Sequence, residues 1–120
     1  FALLRSFDLF VMTSSLEGIP RCMMEAMAAG VPVAGYDIPG VDQLLASGET
    51  GFVAPHGDRE ALLASFEVAM DDPDGAAARA SAARALIDQT YSAARMAREY
   101  EQLFQELAES RKPGRQGGSV

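Results

Sequence analysis

No tryptophan occurs in the 120 residues, and cysteine and histidine appear once each, as Cys22 and His56. One cysteine excludes an intramolecular disulfide and supplies no metal pattern. A chain built without disulfides fits a reducing compartment such as the cytosol. His56 stands in a turn, with no Cys, Asp or second His at ligand spacing, and reads as a surface histidine. Long apolar runs are missing too. None approaches the roughly 18 residues needed to cross a bilayer, and no signal sequence or transmembrane segment is expected. Basic residues are scarce early on: residues 1–75 hold 12 acids and 3 bases, whereas residues 76–120 hold 5 acids and 7 bases. The formal net charge is −7, and without a basic cluster in the first part a nucleic-acid surface is excluded.

What is present suits one folded domain. Hydrophobic residues make up 48% and charged residues 22%, so a packed core is expected. Residues 1–7 carry apolar side chains at 1, 3, 4 and 7, the spacing of one helical face. Residues 8–13 are a short apolar run suited to a parallel strand buried on both faces. A helix is expected from about Pro20 to Ala29 and a second strand over 31–36. Strand, helix and strand with short links make a βαβ unit. Residues 41–47 read as a short helix, 48–51 as a turn and 52–54 as a brief strand. Asp58 can cap a helix running to about residue 70, with Leu62, Leu63, Phe66 and Met70 as its core stripe. Residues 71–75 break it. An alanine-rich helix follows over 76–88, and Thr90 or Ser92 can cap a last one reaching about 110. That last helix carries an apolar stripe at 96, 100, 103, 104 and 107, expected to pack on its own domain. The organisation is therefore a domain over 1–110 and a disordered tail over 111–120, rich in Gly, Pro, Ser and basic residues.

The most informative stretch is Glu17-Gly18-Ile19-Pro20-Arg21-Cys22-Met23-Met24-Glu25. Pro20 suits the start of a helix, where its missing N–H leaves no bond unmade, and Gly30 supplies the stop. Glu17 then sits in the loop between strand and helix, and Glu25 about 7–9 Å along the axis from the helix start. Two carboxylates would flank a helix N-terminus, whose free N–H groups and positive dipole end form an anion site. Such a place suits a ligand with a diphosphate in the middle and hydroxyls at both ends. An ionised carboxylate only accepts hydrogen bonds and can take two neighbouring hydroxyls. The plainer reading is a glutamate in a turn and another on a helix surface. In open parallel sheets ligands bind beyond the carboxyl ends of the strands, so the loops over 13–18 and 37–40 should lie side by side.

The run from Thr13 through Glu17-Gly18-Ile19-Pro20 and Glu25-Ala26-Met27-Ala28-Ala29-Gly30 to Val31-Pro32-Val33 resembles the donor segment of retaining GT-B glycosyltransferases of the family 4 type. Asp37-Ile38-Pro39-Gly40-Val41, Gly48-Glu49-Thr50-Gly51-Phe52-Val53 and Pro55-His56-Gly57-Asp58 follow in the family's order. The match covers about residues 1–72. It implies an α/β fold, a partial Rossmann-like parallel sheet with flanking helices and a helical C-terminus. It also implies that the chain is a fragment, opening at Phe1 inside a larger enzyme and inactive alone. Glu17 would contact the donor sugar and Glu25 the ribose, with the backbone of Gly18, Ile19, Pro20, Arg21 and Cys22 against the diphosphate. The donor would be a UDP- or GDP-sugar, the cofactor none, the metal none. The acceptor would be a carbohydrate or lipid-linked hydroxyl held by a missing half. Many members have Gly where this chain has Pro20. The Gly-Ile-Pro-Arg form is similar to transferases of surface polysaccharide and lipopolysaccharide synthesis, cytoplasmic or peripheral at the inner membrane face.

Each residue also has a simpler reading. Arg21 could meet phosphate oxygens, remain solvated, or pair with Glu25 four residues on, a contact of ~0.2–0.5 kcal/mol. Cys22 reads as a small buried hydrophobe, and Met23, Met24 and Met27 as core and contact filler. Asp72-Pro73-Asp74 resembles an acidic metal motif of a different glycosyltransferase fold, but its turn context favours a solvated loop. Two other functions remain open: a glycoside hydrolase using Glu17 and Glu25 as paired carboxylates, and a non-catalytic nucleotide-binding or interaction module.

Overall fold

The computed structural model describes residues 1–111. The tail expected over 111–120 lies, past Arg111, outside the described residues. Two compact units make up the chain, Phe1–Thr90 and a second beginning at Tyr91.

The first unit is built on three parallel strands, β1 (Phe10–Met12), β2 (Val33–Tyr36) and β3 (Phe52–Ala54), in the order β1-β2-β3. Helix α1 (Arg21–Ala28) connects β1 to β2. Next come α2 (Val41–Leu45) after β2, α3 (Arg59–Asp71) after β3, and α4 (Pro73–Thr90). This is the expected α/β architecture. β2 has all four residues buried, and its composition explains why helices can close on it. A side chain at Gly35 would meet Met23 Cε at 3.3 Å and Val41 Cγ1 at 3.4 Å, so the bare glycine lets both helices reach the sheet. Ala26, Met27, Val31, Leu44 and Leu45 complete the buried layer on and around these elements. On α4 the residues Ala76, Ala80, Ala83 and Ile87 are buried, a face at helical spacing whose small side chains allow close packing against α1.

Helix ends follow local chemistry. Gly30, at φ +78°, ends α1. Its N–H donates to the Met27 carbonyl and that of Val31 to Ala26, both at 3.0 Å, the pairing of a Schellman stop. Asp58 caps α3, its Oδ1 accepting from Ala61 N–H at 2.9 Å. Replacing Asp58 by Ala should cost about 1 kcal/mol, read as a lower denaturant midpoint with an unchanged m-value.

Several expectations are corrected by the packing. β1 is not buried on both faces: among the described residues it pairs with β2 alone, and Val11, on the sheet side facing α3, is 39% exposed. Residues 1–7 make only a single 3-10 turn, Leu4–Ser6, with Phe1, Leu3 and Phe7 exposed. So short an apolar stripe has too few hydrogen bonds to persist as a helix without a surface to cover it. In α3 the buried face is Leu62 and Ala69, while Leu63, Phe66 and Met70 are exposed. The helix is rotated so that positions seven apart, not the three-and-four stripe from Leu63, meet the sheet. The break at 71–75 shrinks to Asp72, whose Oδ1 accepts from Gly75 N–H at 3.0 Å. Pro73 follows as the first residue of α4, so the acidic triplet starts a helix instead of forming a loop. Among the described residues no group of three or more His, Cys, Asp or Glu could hold a metal ion.

Taken by itself, the second unit is α5 (Ala93–Ser110), capped by Ser92 accepting from Arg95 N–H at 3.2 Å. It has no buried residue, and Met96, Tyr100, Leu103, Phe104 and Leu107 line an exposed apolar stripe. No helix among the described residues is long and apolar enough to cross a membrane.

Candidate functional site

The carboxyl ends of β1 and β2 release the two loops that sequence reading expects to meet, over 13–18 and 37–40. They do meet, backbone to backbone. A Cβ on Gly40 would overlap the Gly18 carbonyl oxygen and lie 2.6 Å from its carbon and 3.4 Å from the Glu17 carbonyl oxygen. Only glycine permits that approach, and only glycine is comfortable at the φ of +91° found there.

The same edge carries the N-terminus of α1. Because β1 runs towards this edge and α1 returns from it, the helix presents its amino end beside the loop. Pro20 is the N-cap, buried, with extended backbone at φ −75° and ψ 113°, and no side chain caps the helix. Met24 N–H is the first to bond along the helix, to the Pro20 carbonyl at 3.2 Å. The N–H groups of Arg21, Cys22 and Met23 precede it and have no helical acceptor. Their aligned dipoles leave partial positive charge where an anion would sit.

The side chains divide between two places. Arg21 and Glu25 line a groove of about 200 Å³ with Phe1, Met24, Ala28 and Ile87. No ion pair joins Arg21 to Glu25 among the described residues, so the i,i+4 pairing that competes for them does not form. Glu25 is exposed and Glu17 half-buried. Glu17 does not line that groove; it belongs to the loop pressed against Gly40. Gly18 and Ile19 are exposed. Cys22 is exposed, against the expectation of a small buried hydrophobe, because the buried face of α1 runs through Met23, Ala26 and Met27. Met23 and Met27 are fully buried and Met24 is half-buried, as core and contact filler.

Three contributors escape sequence reasoning. Phe1 and Ile87 reach the groove from elements far apart in the chain, and no local pattern announces them. Asp42 is the third: its Oδ1 accepts from Gly40 N–H at 2.9 Å and from Gln43 N–H at 2.8 Å. An acidic residue two positions after a glycine at a helix start is the signal that could have found it. His56 stays exposed, with its ring 6.2 Å from that of Tyr36 in an edge-on arrangement.

Known proteins share this framework. Over 113 residues the chain is 31% identical to WcaL of Salmonella typhimurium, provisionally described as a colanic acid biosynthesis glycosyltransferase, covering 88% of this chain and 28% of WcaL. Over 80 residues it is 39% identical to the lipopolysaccharide core biosynthesis mannosyltransferase LpsB of Rhizobium meliloti, covering 64% of this chain and 23% of LpsB. Among solved structures, that of the Anabaena protein HepE in complex with UDP superposes with a TM-score of 0.81 at 26% identity, covering 87% of this chain and 29% of HepE. The chain thus spans less than a third of the length of each of these proteins. A match of residues 2–87 to the model of glycosyl transferases group 1 covers most of the sequence, and the chain belongs to that family.

Proposed function

We propose that residues 17–25 form the donor site of a retaining glycosyltransferase that moves a hexose-type sugar from a UDP- or GDP-sugar to a hydroxyl acceptor. The observation that carries this reading is the uncapped N-terminus of α1 set beside the Glu17-Gly18 loop at the carboxyl edge of the sheet. The free N–H groups of Arg21, Cys22 and Met23 would hold the diphosphate, with Gly18, Ile19 and Pro20 letting the ligand approach the backbone closely. Arg21 would add a cation. Glu25, in its groove, would accept from the ribose hydroxyls, and Glu17 from those of the sugar. The nucleotide in HepE and the polysaccharide and lipopolysaccharide descriptions of the relatives support a role in surface glycan synthesis.

Catalysis here would rest on orientation and on preorganised amides meeting the charge that develops on the departing diphosphate. Neither glutamate serves as a general base, and no metal or other cofactor is required. The acceptor would be a carbohydrate or lipid-linked hydroxyl bound by a part of the enzyme outside this sequence. The whole protein would work in the cytoplasm or peripherally at the inner membrane face.

Calorimetric titration tests the reading. UDP or GDP should bind the chain weakly, with affinity falling about tenfold or more in Glu25→Ala, since a hydrogen bond to a charged group contributes about 1.5–3 kcal/mol. The corresponding nucleotide-sugar should bind without being consumed, because transfer needs the other half. Equal affinity in wild type and variant would remove Glu25 from the site, and no binding of either nucleotide would remove the donor reading.

A further inference from the structure

Residues 14–19, which contain Glu17, make no hydrogen bond among the described residues. A loop so free of polar tethers must be placed by packing, and the structure shows where: Gly18 and Glu17 present their carbonyls to the backbone of Gly40. Gly40 is in turn held tightly. Ile38 is buried, its N–H donates to the Tyr36 carbonyl at 3.0 Å, and its own carbonyl accepts from Val41 at 3.1 Å and Asp42 at 2.9 Å. Asp37 N–H donates to the Ala54 carbonyl at 2.8 Å, tying the turn to β3. The left-handed conformation at Gly40 has one further restraint, the Asp42 carboxylate that accepts its N–H. A charged acceptor serving two amides is a strong local restraint.

We infer that Asp42 is a positioning residue for the Glu17-Gly18 loop, acting through the Gly40 backbone, a role that rests on the donor-site reading for its functional consequence. Removing the carboxylate frees Gly40 to rotate, and the Gly18 peptide loses the surface it leans on. A capping role confined to α2 would leave residues 17–19 undisturbed, and that difference is measurable.

The experiment records amide ¹H–¹⁵N spectra and hydrogen exchange of the full chain as wild type, Asp42→Ala and Asp42→Asn, with UDP titrations beside them. In Asp42→Ala the Gly18 and Ile19 amides should shift together with Gly40, and UDP should bind about tenfold more weakly, as expected for losing a carboxylate-anchored hydrogen bond. Asparagine keeps an oxygen in the same place and should restore both. Should Asp42→Ala fail to fold, Asp42→Glu keeps the charge while displacing the acceptor, and the same two amides are read. Perturbations confined to 40–45, or no rescue by asparagine, overturn the inference. A wild type that binds neither UDP nor GDP, with Gly18 and Ile19 still following Asp42, sinks the donor reading and leaves the coupling standing. Binding of UDP with both amides indifferent to Asp42 does the reverse.

Discussion

Gly40→Ala should destabilise the first unit by roughly 2–5 kcal/mol, combining an unfavourable left-handed conformation with a forced backbone contact. The added methyl has nowhere to go. It would overlap the Gly18 carbonyl, which is backbone and cannot swing aside as a side-chain tip would. Either the turn over 37–40 or the loop over 13–20 must move, and both belong to the candidate site. In thermal denaturation the midpoint should fall by about 10 °C or more for a domain of this size. Gly57→Ala is the control. Gly57 also has positive φ, +78°, yet no atom lies within 4 Å of its Cβ position, so only conformational strain applies, about 1 kcal/mol. Equal losses in the two variants would show that the contact with Gly18 has no energetic weight.

Met23→Ala should have a comparable effect by a different route. Met23 is fully buried, with its Cε over Gly35 of β2. Truncation removes the transfer energy of the thioether chain and opens a cavity between α1 and the sheet, at about 2–5 kcal/mol. Met24, half-buried on the adjacent face of the helix, should lose no more than about 1–2 kcal/mol when changed to Ala. Denaturant midpoints measure the two, and hydrogen exchange adds location. Amides of α1 should exchange faster in Met23→Ala, because the helix then rests on a void. If Met24→Ala proves as costly as Met23→Ala, the phase assigned to α1 is wrong. The result bears on function, since the proposed diphosphate amides are the first residues of this same helix.

Local sequence determined much of what surrounds the site. The Pro20 entry and Gly30 exit of α1, the Asp58 cap of α3 and the apolar runs of three parallel strands each have their cause within a few residues, so they can be read in order. The order of strands and helices places the loops over 13–20 and 37–40 on one edge, because each strand of a parallel sheet ends there. The spacing of Glu17 and Glu25 on either side of a helix start also belongs to the sequence.

Tertiary packing decided the rest. Which face of α3 is buried depended on the sheet it lies against, so Leu63 and Phe66 point outward despite their helical spacing. β1 proved half-covered because burial is set by neighbours, and among the described residues it has one strand beside it. Cys22 faces solvent because Met23, Ala26 and Met27 claim the core side. The contact between Gly40 and Gly18 joins residues 22 positions apart and leaves no mark in composition or periodicity. Secondary structure is local hydrogen bonding and sterics, which a sequence encodes position by position. Burial and the placing of an untethered loop are relations between surfaces, and they exist only once the chain has closed on itself.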